Sequence, residues 1–258
     1  MKVFFPICLP FRRWVPIVGA VFSGCCAGAW AQQVDFTTDI GPIITVSTGY
    51  FDYNGDGTAT LINGDGKVSM AAIGIDITSF GGVPVSDSHI AFCMELEQGI
   101  GAGSYTFDFE DDPANFRNGL TAVQVGRLSY LFDNYYQGPV LADWGTTNGV
   151  RNEYIFQLAV WEITHDTDMS LFNSSGDLYF TGFSSPVVEA QIVLNALNAS
   201  GTNFSAYEAT AWDIQGLQHD TSQDLVYAEA IPEPSSALLI LAAGTFFLLG
   251  RRPVRCAR

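Results

Sequence analysis

The stretch that most constrains this chain is residues 153–164, Glu-Tyr-Ile-Phe-Gln-Leu-Ala-Val-Trp-Glu-Ile-Thr. Its pattern predicts a helix that is apolar nearly all round, with Asn152 as a plausible N-cap. Such a helix is stable only if the rest of the fold covers it on most sides. Within Tyr154 to Trp161 the only polar side chain is Gln157. A buried carboxamide brings two donors and a carbonyl, and leaving them unmet costs roughly 1–3 kcal/mol. Two fates satisfy it. Gln157 bonds to neighbouring backbone, or it condenses with a thiol, which expels ammonia and leaves only the carbonyl.

The thiol question turns on the chain ends. Lys2, Arg12 and Arg13 form a basic head, Trp14 to Gly28 is a short apolar stretch, and Ala29, Trp30 and Ala31 make a small-x-small cleavage site. Residues 1–31 are therefore expected to be a cleaved signal peptide. A lipoprotein signal ending at Cys25 is the alternative. At the other end, Pro232, Glu233 and Pro234 precede an apolar run from Ala237 to Gly250, then Arg251, Arg252, Arg255 and Arg258. Arginines after an apolar run hold that end on the cytoplasmic side of a membrane. If both ends leave, Cys8, Cys25, Cys26 and Cys256 go with them, and Cys93 is the one cysteine of the mature segment. It has no partner for an internal disulfide.

Residues 32–230 carry four basic side chains (Lys67, Arg117, Arg127, Arg151) against 26 acids, a net charge of −22. That surface excludes nucleic acid and anionic lipid as partners. The segment opens with β-rich pieces, Ile43 to Val46 and Val68 to Ile77, separated by Asn-Gly and Asp-Gly turn clusters at 54–57 and 63–66. Asp52, Asn54 and Asp56 match part of a calcium loop, but the twelfth position is Asn63 where a bidentate Glu belongs, so hairpin turns are the better account. A strand is expected over Ser88–Glu97, with Cys93 and Glu95 on one face and Phe92 on the other, and a returning strand over Ser104–Phe109. Helices are expected over Thr121–Tyr136 and Pro186–Asn198, and strands over Ala206–Ile214 and Asp224–Ala228. The sum is one α+β domain, β-rich and sandwich- or barrel-like, with a helical insertion.

Two resemblances add to this. Ile231-Pro-Glu-Pro234 with its apolar run and arginines resembles the PEP-CTERM sorting signals of Gram-negative bacteria, over about the last 28 residues. That implies an exosortase-type processing enzyme as partner. It also implies an inner-membrane anchor during sorting, and then a place at the cell surface or in the extracellular matrix. Phe92-Cys93 on a strand and Phe156-Gln-Leu-Ala-Val-Trp161 on a helix resemble the bacterial Cys–Gln thioester domains, over roughly Ser88 to Asp166 and more loosely to Val226. The family pattern is an aromatic residue before the Cys and Gln-x-Ala-aliphatic-Trp after it. By that resemblance Cys93 is the thiol partner and Gln157 the acyl partner, while Phe92, Phe156 and Trp161 shield the bond. Phe156 stands where Thr commonly precedes the Gln. The implied function is covalent attachment to an amine or hydroxyl on a surface or matrix ligand, performed once rather than as enzymatic turnover, with no cofactor.

Two competing functions remain open on sequence grounds. One is a non-covalent structural protein of the extracellular matrix, with Cys93 and Gln157 as core residues. The other is a cysteine hydrolase pairing Cys93 with His89, His165 or His219. Glu95 on the same strand face raises a thiol's pKa, and His89 lies over 12 Å away along the strand. His165, at the end of the Gln157 helix, is expected to be a C-terminal residue favoured by the helix dipole.

Overall fold

The computed structural model describes residues 32–232 apart from 41–42, 48, 53–57, 71–72, 97, 117–118, 137–146 and 182–183. The expected signal peptide, Asn54 and Asp56 of the calcium match, Glu233, Pro234 and the apolar run at 237–250 lie outside the described residues. Among the described residues no helix is long and apolar enough to cross a membrane.

Strands come first: β1 (Gln32–Ile40), β2 (Ile44–Ser47), β3 (Gly49–Phe51), β4 (Thr60–Leu61), β5 (Lys67–Met70), β6 (Ile73–Phe80), β7 (Val83–Cys93) and β8 (Gly103–Glu110). Helices α1 (Ala122–Tyr135) and α2 (Thr147–His165) follow, then β9 (Leu178–Phe180), α3 (Ser185–Asn198), β10 (Trp212–Gln218) and β11 (Leu225–Ala230). Six strands close an antiparallel barrel in the order β1-β6-β7-β11-β10-β8. The helices are an insertion between β8 and β10, so the β-rich α+β expectation holds, in its barrel form. The insertion is tied back to the N-terminal part by β9, which pairs with β3 through Phe51 opposite Leu178.

Local sequence explains several boundaries. Asn63, Gly64 and Gly66 take positive φ in the turn before β5, as the Asn-Gly and Asp-Gly pairs there require. Thr121 caps α1 in a reciprocal capping box with Gln124. Pro186 sits in the first turn of α3.

Five expectations are corrected. Asn152 is not an N-cap, because α2 starts at Thr147 and runs through it. The strand carrying Cys93 ends at that residue rather than at Glu97 and begins earlier, at Val83. Its burial does not alternate: residues 83–88 are exposed and 89–93 are all buried, since the barrel end is covered on both faces. β8 does not return along β7; its partners are β1 and β10, which close the ring. The span expected to be strand from Ala206 begins with a 3₁₀ turn at Phe204–Ala206, and the strand itself starts at Trp212.

Candidate functional site

Cys93 is the last residue of β7, and the register sets it opposite Leu225 of β11. On its other side, among the described residues, the β6–β7 pairing reaches only Ile73 opposite Ala91. The backbone of Cys93 would be an open edge there. The carboxamide of Gln157, from α2, fills it. The Cys93 N–H donates to Gln157 Oε1 at 2.7 Å, and Gln157 Nε2 donates to the Cys93 carbonyl at 2.7 Å. One side chain thus makes the pair of bonds that a neighbouring strand would make. Gln157 is fully buried, at 0 % exposure, and Cys93 is 8 % exposed.

The residues beside them fix this alignment. Phe92 and Phe156, each immediately before a site residue, pack ring on ring at 4.5 Å. Both extend into an aromatic cluster with Phe132 and Tyr136. They brace strand against helix from behind, and neither lines the cleft that opens at Cys93. Trp161 does line it and is buried, so of the three expected shielding residues it alone stands beside the thiol's opening.

Residues 94 and 95 are clamped from both sides. The Met94 N–H donates to Asp224 O at 2.9 Å, and the Met94 carbonyl accepts from His165 Nε2 at 2.7 Å. Gln223 Nε2 donates to the Glu95 carbonyl, and the Asp224 N–H donates to Glu95 Oε2 at 3.2 Å. The strand end is therefore held between α2 and the β10–β11 turn. His165 ends α2 as expected, but burial pushes its imidazole down to about 4, against the opposing bond to Met94, so it is neutral and works as a donor. Sequence spacing missed this, because position along the helix does not disclose that the chain leaving β7 crosses its end.

The cleft at Cys93 has a volume of about 250 Å³ and includes Glu95, Gln98, Trp161, Gln223 and Met70 in its lining. Trp161 Nε1 and Gln98 Oε1 are buried without a hydrogen-bond partner among the described residues. One is a donor and the other an acceptor. Burial, and then the negative charge of Glu95, push the Cys93 thiol up to about 12. At neutral pH it is a protonated thiol, unlike the low-pKa thiolates of cysteine hydrolases. It is in no disulfide.

The other histidines are engaged elsewhere. His89 lies 3.2 Å from the Asp87 carboxylate and against the Tyr227 ring. His219 Nδ1 accepts from the N–H groups of Thr221 and Ser222, and its ring packs on Phe107. Of the remaining sequence candidates, Asp52 is buried and its N–H donates to Asp177 O at 2.8 Å, while Pro232 is exposed just beyond β11.

No family model matches the chain, and no curated protein matches it in sequence. Among solved structures it is similar to the N-terminal domain of the Streptococcus pyogenes pilus tip adhesin Cpa. The identity is 13 %, the match covers 76 % of this chain and 94 % of that one, and the TM-score is 0.42.

Proposed function

We propose that this is an exported surface or matrix protein that stores an acyl electrophile as an internal thioester between Cys93 and Gln157. The observation that carries the proposal is the pair of 2.7 Å bonds between the Gln157 carboxamide and the backbone of the residue bearing the buried thiol. They hold the carbonyl carbon against the residue whose sulfur attacks it. In formation, Sγ adds to Gln157 Cδ and the thiol proton passes to Nε2. The C–N bond then breaks and ammonia leaves, so the carboxamide and thiol become a thioester. The Cys93 N–H already donates to Oε1 and stabilises the oxyanion on the way.

The same geometry explains how the bond would last. A thiol of high pKa is a poor leaving group, so burial and Glu95 slow hydrolysis as well as formation. Attack by a target amine or hydroxyl at the Gln157 carbonyl transfers the acyl group to the target and returns Cys93 to the thiol. Glu95 is the carboxylate in the cleft lining and is placed to accept the nucleophile's proton. The Trp161 indole N–H and the Gln98 carbonyl offer a donor and an acceptor to the incoming group. Export by the N-terminal segment, sorting by an exosortase-type enzyme at Pro232 to Pro234, and a transient membrane anchor complete the proposal.

One observation favours a second reading, a non-covalent structural protein. Both ends of the Gln157 carboxamide are satisfied as they stand, and loss of ammonia would remove the donor to the Cys93 carbonyl. The intact mass of the exported protein decides between them. The thioester predicts a species lighter by one ammonia that gains one methylamine on incubation, with a free thiol appearing in step. Cys93→Ser and Gln157→Ala should both abolish the labelling. An unshifted mass, inert to methylamine, leaves Gln157 as a core bracket and refutes the thioester.

A further inference from the structure

Eight residues beyond the middle of its apolar run, α2 gives way to a tight acidic loop. Glu162, Asp166 and Asp168 each bring a carboxylate oxygen to within 4.8 Å of the others. Glu162 is 0 % exposed, and neither of its oxygens has a hydrogen-bond partner among the described residues. An ionised carboxylate in that position is costly unless something positive meets it. Burial, then the charges of Asp166 and Asp168, push its carboxyl up to about 9.

The surrounding backbone is committed to holding the other two carboxylates in place. Asp166 Oδ1 accepts from the N–H of Thr167 and Asp168, and its Oδ2 accepts from the Leu178 N–H at 3.1 Å. Asp168 Oδ1 accepts from the Ser170 N–H at 2.8 Å, and its Oδ2 accepts from Asn173 Nδ2. Met169, between them, takes the left-handed backbone with φ of 63°. Gly176 lies under both carboxylates, and a Cβ there would run into Asp166 Oδ2 and come within 2.9 Å of Asp168 Oδ2. Arg127 reaches the loop and its charge interacts with Glu162, but its guanidinium donates to Thr167 O at 3.2 Å and, among the described residues, makes no ion pair with the three acids.

We propose that Glu162, Asp166 and Asp168 form a site for a divalent cation of the calcium type. The ligand set is all oxygen, as a hard cation prefers, and the spacing fits. Calcium takes oxygens at roughly 2.3–2.6 Å, so ligands on opposite sides of one ion lie about 4.8 Å apart. The cation supplies the positive charge that the buried, unpartnered Glu162 carboxylate lacks. It ties the last turn of α2 to the loop that leads into β9, and so to β3. Its three ligands are other residues than those of the partial calcium match at Asp52, Asn54 and Asp56, and it stands independently of the Cys93–Gln157 chemistry.

The test is the full-length protein, stripped with EDTA and titrated with calcium chloride or magnesium chloride by calorimetry and thermal unfolding. Calcium should bind with one equivalent and raise the midpoint by about 5–10 °C at a hundredfold excess over Kd. Magnesium, which demands closer octahedral geometry, should bind at least tenfold more weakly. Glu162→Gln is neutral and of the same shape, so it should keep or exceed the stripped wild-type midpoint and lose the calcium response. If that variant fails to fold, Asp168→Asn should bind calcium at least tenfold more weakly. A stripped wild type that ignores calcium overturns the proposal, as does magnesium binding as tightly as calcium. So does a calcium response retained in Glu162→Gln, or an unchanged Kd in Asp168→Asn.

Discussion

Replacing Gln157 by Glu in a Cys93→Ala background isolates the bracket between helix and strand from any acyl chemistry. The introduced carboxyl has the shape of the carboxamide. Protonated, it accepts from the residue 93 N–H and donates to the residue 93 carbonyl, reproducing the two 2.7 Å bonds. Ionised, it keeps the first bond, turns a lone pair against the carbonyl, and leaves a charge at a fully buried position. The folded state therefore favours the protonated form, and the folded pKa rises above the unfolded value of about 4.3. Stability is fully present below that unfolded pKa and falls as pH rises toward the folded pKa. A rise of about 3 units, ordinary for a buried carboxyl, removes ~4 kcal/mol by pH 7.5. For a domain of this size that is a fall of roughly 8–16 °C in Tm. Thermal unfolding of Cys93→Ala with and without Gln157→Glu, at half-unit steps from pH 4 to 8, measures it. Curves that stay parallel across the range would show that residue 157 does not sit between that N–H and that carbonyl.

Two further outcomes test the surroundings of the site. Gly126→Ala in α1 should lower stability by ~1–3 kcal/mol despite the ~1 kcal/mol gain in helix propensity, because its Cβ would overlap the Phe204 carbonyl oxygen and lie 2.7 Å from its carbon; a raised unfolding midpoint would contradict that packing. Asp133→Asn should lower Tm by ~2–6 °C at neutral pH. Its carboxylate accepts from the N–H groups of Thr210, Ala211 and Trp212 and the hydroxyls of Tyr207 and Thr210. Burial raises its pKa, but those bonds outweigh it and the net direction is down. The difference from wild type should be present above the unfolded carboxyl pKa and vanish as pH falls through the lower folded one; a gap that persists in acid would assign the loss to shape rather than charge.

What the sequence discloses here follows the range of the interaction that decides it. The three helices are written in local periodicity, and α1 and α3 begin within a residue of expectation. The start of α2 is hidden because Gly149 and Asn152 look like loop and cap, and packing of the later turns overrides them. Strands are legible as strands, but not their partners. Nothing local to Ser104–Phe109 tells it to pair with residues 32–38 and 216–218 instead of turning back on β7. Gln157 stands out because it interrupts an apolar run, and Cys93 because it is the one cysteine between residues 32 and 230. Glu162 is also in that run and Asp166 follows it at helical spacing, but the third carboxylate, Asp168, is brought in by the loop beyond the helix, which helical spacing does not announce.

The ring order of the barrel also sets a timetable. β7 ends at Cys93 and finds its neighbour at Leu225, 132 residues later in the chain, and β8 likewise waits for β10. Contacts of such long separation are slow to form, since the intervening loop must be closed before they give anything back. At roughly 5–20 residues per second, synthesis alone puts about 7–26 s between the appearance of Cys93 and that of Leu225. Through that interval the end of β7 has no strand beside it, and the turn that clamps Glu95 does not yet exist. The emerging chain is thus a transit form with its thiol unguarded. The cleft that sequesters the thiol is among the last parts of the molecule to be assembled.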